Sequence, residues 1–330
     1  MKNKKKHLGN LVKIAVAGAL IYWLWSSGKL DFSALVSSLS PQWAVLGLGL
    51  VGLNIFVCSE RWRILLKLQD RHINLWPAFK LSLMGIFFNY AMPGGVGGDA
   101  VKAFYFHKDH PNSKVIAVTS VIIDRVIGLY AMILMALFIM IYDINHVMRI
   151  KELTSLFYGI IALSTVATLG LFLLFSKSLY SSGFMNRLIK RLPWSERIQK
   201  LYDSFHMYGK SLQTLVAVIL ISFLAQTVTV GYLFLVGQLS GSDARWSTYF
   251  MVAPLGFIAM GLPISPAGIG VGQAAFYYLF NIYLEKRTSL GPSVVTAFQA
   301  TQLIWGLLGA VFYLRRKDKV QENFEESVLA

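Results

Sequence analysis

A single cysteine, Cys58, stands among 330 residues, so no disulfide can staple this chain internally. Charge is scarce too: 14% of residues are Asp, Glu, Lys or Arg, where a soluble domain carries about 25%. Acidic residues are the scarcer kind, 16 against 31 Lys and Arg. Signatures of nucleotide and hydrolase chemistry are missing: no Walker A string, no G-x-S-x-G elbow, no paired carboxylates that can be placed. The string HKDH, with His107, Asp109 and His110, matches no standard zinc spacing and lacks further ligands. Neither a metal nor a cofactor is expected, and nothing points to ATP.

Apolar residues fill the space left by charge. They make up 55% of the chain, with a mean hydropathy of +0.56. Apolar runs lie near residues 10–28, 43–59, 76–92, 115–142, 155–176, 211–238, 248–263, 268–284 and 292–314. A bilayer-spanning helix needs about 20 such residues. The fold class expected is all-α, a polytopic integral membrane protein forming one transmembrane domain over 1–330. In a soluble protein the net charge of +15 would suggest nucleic acid; here it reads as cytoplasmic loops obeying the positive-inside rule. The N-terminal stretch resembles a signal peptide, but its cleavage site is poor and its apolar run continues into Trp23 and Trp25. It reads as an uncleaved first span.

Nine full crossings would scatter the basic loops over both faces. Taking 76–106 and 248–284 as re-entrant hairpins, entered from the cytoplasm and from outside respectively, places 24 Lys and Arg inside and six outside, with Arg125 within a span. Six full spans and two hairpins result, in a multi-pass protein of the cytoplasmic (inner) membrane with both termini cytoplasmic. Residues 1–142 and 155–314 then read as inverted halves. The breaks look alike: PGGVGG (Pro93 to Gly98) and PAGIGV (Pro266 to Val271) share Pro-x-Gly-aliphatic-Gly. Paired interruptions in inverted halves point to a midplane site. Between spans, 184–208 reads as an amphipathic segment on the cytoplasmic surface.

A helix broken at membrane depth must be buried in protein or line a wet cavity. Breaks at Pro93–Gly98 and at Pro266–Gly270 free N–H groups at the start of the next helix, an anion-attracting arrangement unless the glycines serve hairpin packing alone. Asp99 reads as an N-cap, a role compatible with function. Lys102 either points at the same place or snorkels toward headgroups, and position alone favours snorkelling. Asp124 and Arg125 lie inside the run 115–142 and need partners. The preferred pairs are Arg125 with Asp99 and Asp124 with Lys102; an ion-pair lock without further function is the alternative. Arg61 and Arg63, at the cytoplasmic end of the second span, are interfacial anchors or headgroup contacts.

The strings RWRILL (61–66), NYAMPGGVGGDAVKA (89–103), DRVIGL (124–129) and LPISPAGIGVGQAAFYYLF (262–280) resemble the lysylphosphatidylglycerol synthase transmembrane-region family, the flippase-like domain of multiple peptide resistance factors. The likeness spans roughly 8 to 316. It implies a lipid translocator for an anionic, aminoacylated or polyprenyl-linked phospholipid. On that analogy Arg61, Arg63, Asn89, Asp99, Lys102, Asp124 and Arg125 become headgroup or gating candidates, joined by Gly97, Gly98, Gly268, Gly270 and Gln273 at the breaks. The chain departs from the family pattern at Lys102, where Arg is frequent, and at Gly272–Gln273, where an Arg-Glu pair is frequent. No counterpart of the resistance factors' cytoplasmic aminoacyl-transferase domain is expected, and synthase activity is not expected to be inherited. An integral-membrane transferase using a lipid-linked donor and a non-transporting scaffold subunit are the rival readings. The expected partner is a membrane phospholipid or polyprenyl lipid, not nucleic acid; a second copy or an envelope enzyme stays open.

Overall fold

The computed structural model describes residues 41–92, 97–176, 195–209, 211–262 and 264–329, together with Ser26, Tyr180 and Ile189. The first apolar run, Pro93 to Val96 of the first break, and most of 184–194 lie outside the described residues. Among the described residues all regular structure is helical. The elements are α1 (Pro41–Lys67), α2 (Leu75–Ala91), α3 (Gly97–Asp109), α4 (Lys114–Tyr142), α5 (Ile144–Arg149), α6 (Lys151–Phe175), α7 (Ser195–Tyr208), α8 (Leu212–Leu239), α9 (Trp246–Met260), a 3-10 turn (Pro266–Gly268), α10 (Val271–Leu284) and α11 (Leu290–Leu329).

Helices satisfy their own backbone, which is why apolar runs of this length can sit in lipid at all. Five helices among the described residues are long and apolar enough to cross a membrane: α1, α4, α6, α8 and the Leu290–Arg316 part of α11. They carry apolar side chains outward as well as inward; Val166, Phe172 and Leu220 are all more than 60% exposed. The chain is an all-α polytopic membrane protein.

The Gly/Pro breaks shape what the spans enclose. α2 and α3 fold back on one another, and Gly98 lies so close to Gly85 that an added Cβ would come within 2.0 Å of the Gly85 carbonyl oxygen. Both open ends of this hairpin rest on the same stretch of α11. The Lys80 ammonium sits over the Trp76 and Phe312 rings, while Arg316 pairs with Asp109 and lies over the Tyr105 ring. α9 and α10 form the second hairpin, with Gly256 against Phe276 and Tyr249 edge-on to Phe280. Its mouth lies at the other end of the bundle, where Trp246 meets Tyr142 at the end of α4 and Lys286 bonds Asp243 at 3.1 Å. That bond holds the Asp243 carboxyl below the usual carboxylate range.

The two tips meet inside. Tyr90, at the end of α2, donates to the Gln299 carbonyl at 2.8 Å, and the Gln299 side-chain amide donates to the Ala267 carbonyl at 3.1 Å. The packing is also matched between α1–α4 and α8–α11. α1 packs on α2 as α8 does on α9, α3 on α4 as α10 on α11, and α2 on α11 as α9 on α4, while α1 and α8 pair with each other. α7 docks on α4 and α6; Gln69 and Thr119 both bond Ser204, at 2.9 and 2.8 Å.

Close approach of α11 to α2 depends on Gly309, whose added Cβ would lie 2.1 Å from the Leu83 carbonyl oxygen. Gly309→Ala is therefore expected to cost about 1–3 kcal/mol by overpacking. Gly49→Ala, with nothing within 4 Å, should be neutral or stabilise by about 0.5–1 kcal/mol. Thermal unfolding in detergent measures both, and a Gly309→Ala protein melting with the wild type would contradict this contact.

Candidate functional site

Three elements bring charge together at the first hairpin. Arg61 lies six residues before the end of α1, ~9 Å into the helix. Asp124 lies ten residues into α4, ~15 Å from its start. Lys102 lies seven residues before the end of α3, ~10 Å from the hairpin mouth. These depths agree, and the side chains meet.

Arg61 Nε donates to Asp124 Oδ1 at 2.8 Å, and its Nη1 donates to Ser222 Oγ of α8 at 3.0 Å. Lys102 Nζ stands 3.8 Å from the other carboxylate oxygen of Asp124 and 4.0 Å from the centre of the Trp62 ring. All three charged residues are buried, each less than 10% exposed. Trp62 is held by a bond from its indole N–H to Ser120 Oγ at 3.1 Å and by edge contact with Phe106. Gly128, one turn beyond Asp124, leaves room for the guanidinium: an added Cβ would sit 3.1 Å from Arg61 Nη1. Ser120, Asp124 and Gly128 thus share one face of α4 at a spacing of four residues.

A second pair lies beside the first. Arg125 pairs with Asp99 in the first turn of α3. This pair is more open, with the Arg125 side chain 44% exposed. Arg125 shares its outward stripe with Val118, Ile122 and Leu129. The five groups carry three positive charges and two negative, a formal excess of one positive charge. An ionised side chain deep in a membrane needs partners, and each of these has one.

The two ion pairs expected from sequence, Arg125 with Asp99 and Lys102 with Asp124, both form. Three expectations are corrected. Lys102 does not snorkel; it turns inward because Asp124 and the Trp62 ring offer its ammonium a better place than the long path to headgroups. Asp99 is not the cap: α3 begins at Gly97, and the Gly98 N–H goes instead to Asn89 Oδ1 at 2.9 Å. At the second break the Gly270 N–H is not left free, because Gln273 Oε1 accepts it at 2.7 Å. Gln273 is buried and also donates to Thr296 and Gln299, at 3.0 and 2.7 Å. Gly268 and Gly270, with φ of +69° and +84°, serve the sharp turn there.

Other candidates stand apart. Arg63 bonds Glu60 on its own helix, at 2.5 and 2.6 Å, away from the cluster. Gly97 abuts the Met92 side chain. His110 stacks on Phe106, and Asp109 is taken by Arg316. Sequence reasoning missed Trp62, Ser120, Gly128 and Ser222, and it missed Arg61 as the main partner of Asp124. The four-residue spacing of Ser120, Asp124 and Gly128 was the available signal.

This arrangement sits within a match to a known family. The family described as the lysylphosphatidylglycerol synthase TM region matches residues 10–310, a stretch that holds both hairpins and the whole ionic cluster. The chain belongs to this family. It is also similar to a UPF0104 membrane protein of Methanocaldococcus jannaschii, 23% identical over 273 residues that cover 78% of each chain. A member of this family works in contact with membrane lipid, and the cluster of α1, α3 and α4 is where its buried charge is concentrated.

Removing Asp124 would leave Arg61 and Lys102 as facing buried cations. Asp124→Asn is expected to cost about 3–5 kcal/mol. Arg125→Gln, at the more open pair, should cost less. Unfolding temperatures of the purified variants check the ranking; equal losses would mean that Asp124 is not the hub.

Proposed function

We propose that this protein moves an anionic lipid headgroup between leaflets of the cytoplasmic membrane without ATP. The observation that carries the reading is the cluster itself, positively charged overall, held by a broken helix pair ~10 Å inside its mouth and open on one side at Asp99 and Arg125. A phosphate-bearing headgroup complements one excess positive charge, and electrostatic attraction is strong where water is scarce. In this reading both termini are cytoplasmic and the hairpins are re-entrant, the first from the cytoplasm and the second from outside. The halves 1–142 and 155–314 form an inverted repeat within one transmembrane domain, with 184–208 as a cytoplasmic amphipathic segment. The matched packing of α1–α4 with α8–α11 supports this, as do the opposite mouths of the hairpins.

The second hairpin is neutral where the first is charged. At its tip the amides of Gln273 and Gln299 bond one another, and there is no second set of charges to hold a headgroup that leaves the ionic layer. Binding strong enough to draw a phosphate in, followed by weaker contacts, permits passage rather than trapping. Aminoacylated and polyprenyl-linked phospholipids share the phosphate chemistry and fall within the same class.

Proteoliposomes with a fluorescent anionic phospholipid in the inner leaflet test this. The wild type should expose the probe to an outside quencher. Arg125→Gln with Asp99→Asn should abolish exchange while inserting normally, and wild-type rates from that double variant would sink the proposal. Topology is tested separately in a Cys58→Ser background. Impermeant thiol reagents should label His72→Cys and Asn112→Cys from the cytoplasm, and Arg245→Cys and Lys286→Cys from outside. Labelling of Asn112→Cys from outside would contradict the re-entrant path of α2 and α3.

A further inference from the structure

One turn beyond Arg125 on α4, the protein has a cavity of about 220 Å³ between α4 and α6. Val126, Leu129 and Ile133 form one wall, Ala167, Gly170 and Leu171 the other. A hydrogen bond from Tyr130 to Thr168, 3.0 Å long, ties the two helices at the same level. Gly170 has nothing within 4 Å of where a Cβ would stand, so this face of α6 opens directly into the space.

We propose that this cleft holds one acyl chain of an anionic membrane phospholipid whose phosphate rests at Arg125. The proposal rests on the translocation reading in sharing Arg125, and it adds that the tail is held by the protein instead of trailing in bulk lipid. Three observations converge on this occupant. The walls are apolar, which disfavours water, since a buried water needs two to four polar partners. α6 is turned outward, with Val166, Leu169 and Phe172 exposed, so the medium at its surface in a membrane is hydrocarbon. Arg125 and Leu129 lie four residues apart on one helical face, placing a cation at the end of the apolar groove. A charged head joined to a hydrocarbon chain matches that sequence of surfaces.

The test uses the full chain in phosphatidylcholine vesicles containing phosphatidylglycerol with a photoactivatable group in mid-chain. Cross-linked peptides are located by mass spectrometry. Labelling should concentrate on 126–133 and 167–174 relative to the outward stretch 216–224 of α8. Gly170→Leu and Ala167→Leu, which fill the cleft, should each lower this labelling about tenfold, the effect of excluding one or two methylenes. Arg125→Gln should lower it for the phosphatidylglycerol probe and not for a phosphatidylcholine probe. Labelling no higher than on α8, or unchanged in both filled variants, would overturn the proposal. So would a cross-link from Gly170→Cys to residues 10–28, or preferential labelling by a polyprenyl-phosphate probe. Lipid exchange with an unlabelled cleft would remove this site and leave translocation standing; a labelled cleft in a protein without exchange would do the reverse.

Discussion

The Asp124 carboxylate holds this part of the molecule together. Each charged side chain placed deep in a bilayer costs about 2.5–3.5 kcal/mol on an insertion scale, so isolated charges at this depth would oppose the fold. Asp124 answers two of them at once, Arg61 from α1 and Lys102 from α3. It thereby fixes the hairpin against two spans. Ser222 extends the same network to α8, in the other half of the chain. What remains of Lys102 is accommodated by the Trp62 ring, whose orientation Ser120 sets. The adjoining pair Asp99–Arg125 is built from the same two helices but faces outward, which separates a structural layer of charge from an accessible one.

The two hairpins pack alike and differ in chemistry. Where α3 meets α4 there are carboxylates, an ammonium and a guanidinium; where α10 meets α11 there are two glutamines and a threonine. Both solve the same backbone problem. A helix that starts inside the bundle has unpaired N–H groups, and each hairpin borrows a side-chain amide oxygen to satisfy one: Asn89 reaches across for Gly98, and Gln273 folds back for Gly270. At both breaks a carboxamide takes the helix-start N–H, and at the first the neighbouring carboxylates are left for cations.

Much of this was legible before any coordinates. Apolar run length pointed to the five long helices seen among the described residues, since a membrane demands about 20 residues of helix. Asp124 and Arg125 stood out because charge inside a 28-residue apolar stretch has to be answered, and Asp99 and Lys102 were the nearest groups to answer it. Arg61 was harder to read. It sits next to Arg63 at a helix end, where basic residues ordinarily mark an interface, and only packing of α1 against α4 and α8 turns it inward while Arg63 stays with Glu60. Asp99 deceived for a similar reason: its position after two glycines fits a cap, but Arg125 competes for the carboxylate and Asn89 is free to take the N–H. Contacts between residues far apart in sequence, such as Tyr90 with Gln299, leave no local pattern at all.

Gln299 gives the molecule a shared fulcrum. Its main-chain oxygen receives Tyr90 from one hairpin while its side chain grips the turn of the other at Ala267. Neither tip can withdraw far without straining or surrendering a bond at this one residue, and that residue is fixed within α11. The two tips are thus tethered to one position on α11, with α2 also packed directly on the 3-10 turn, although the two mouths lie at opposite ends.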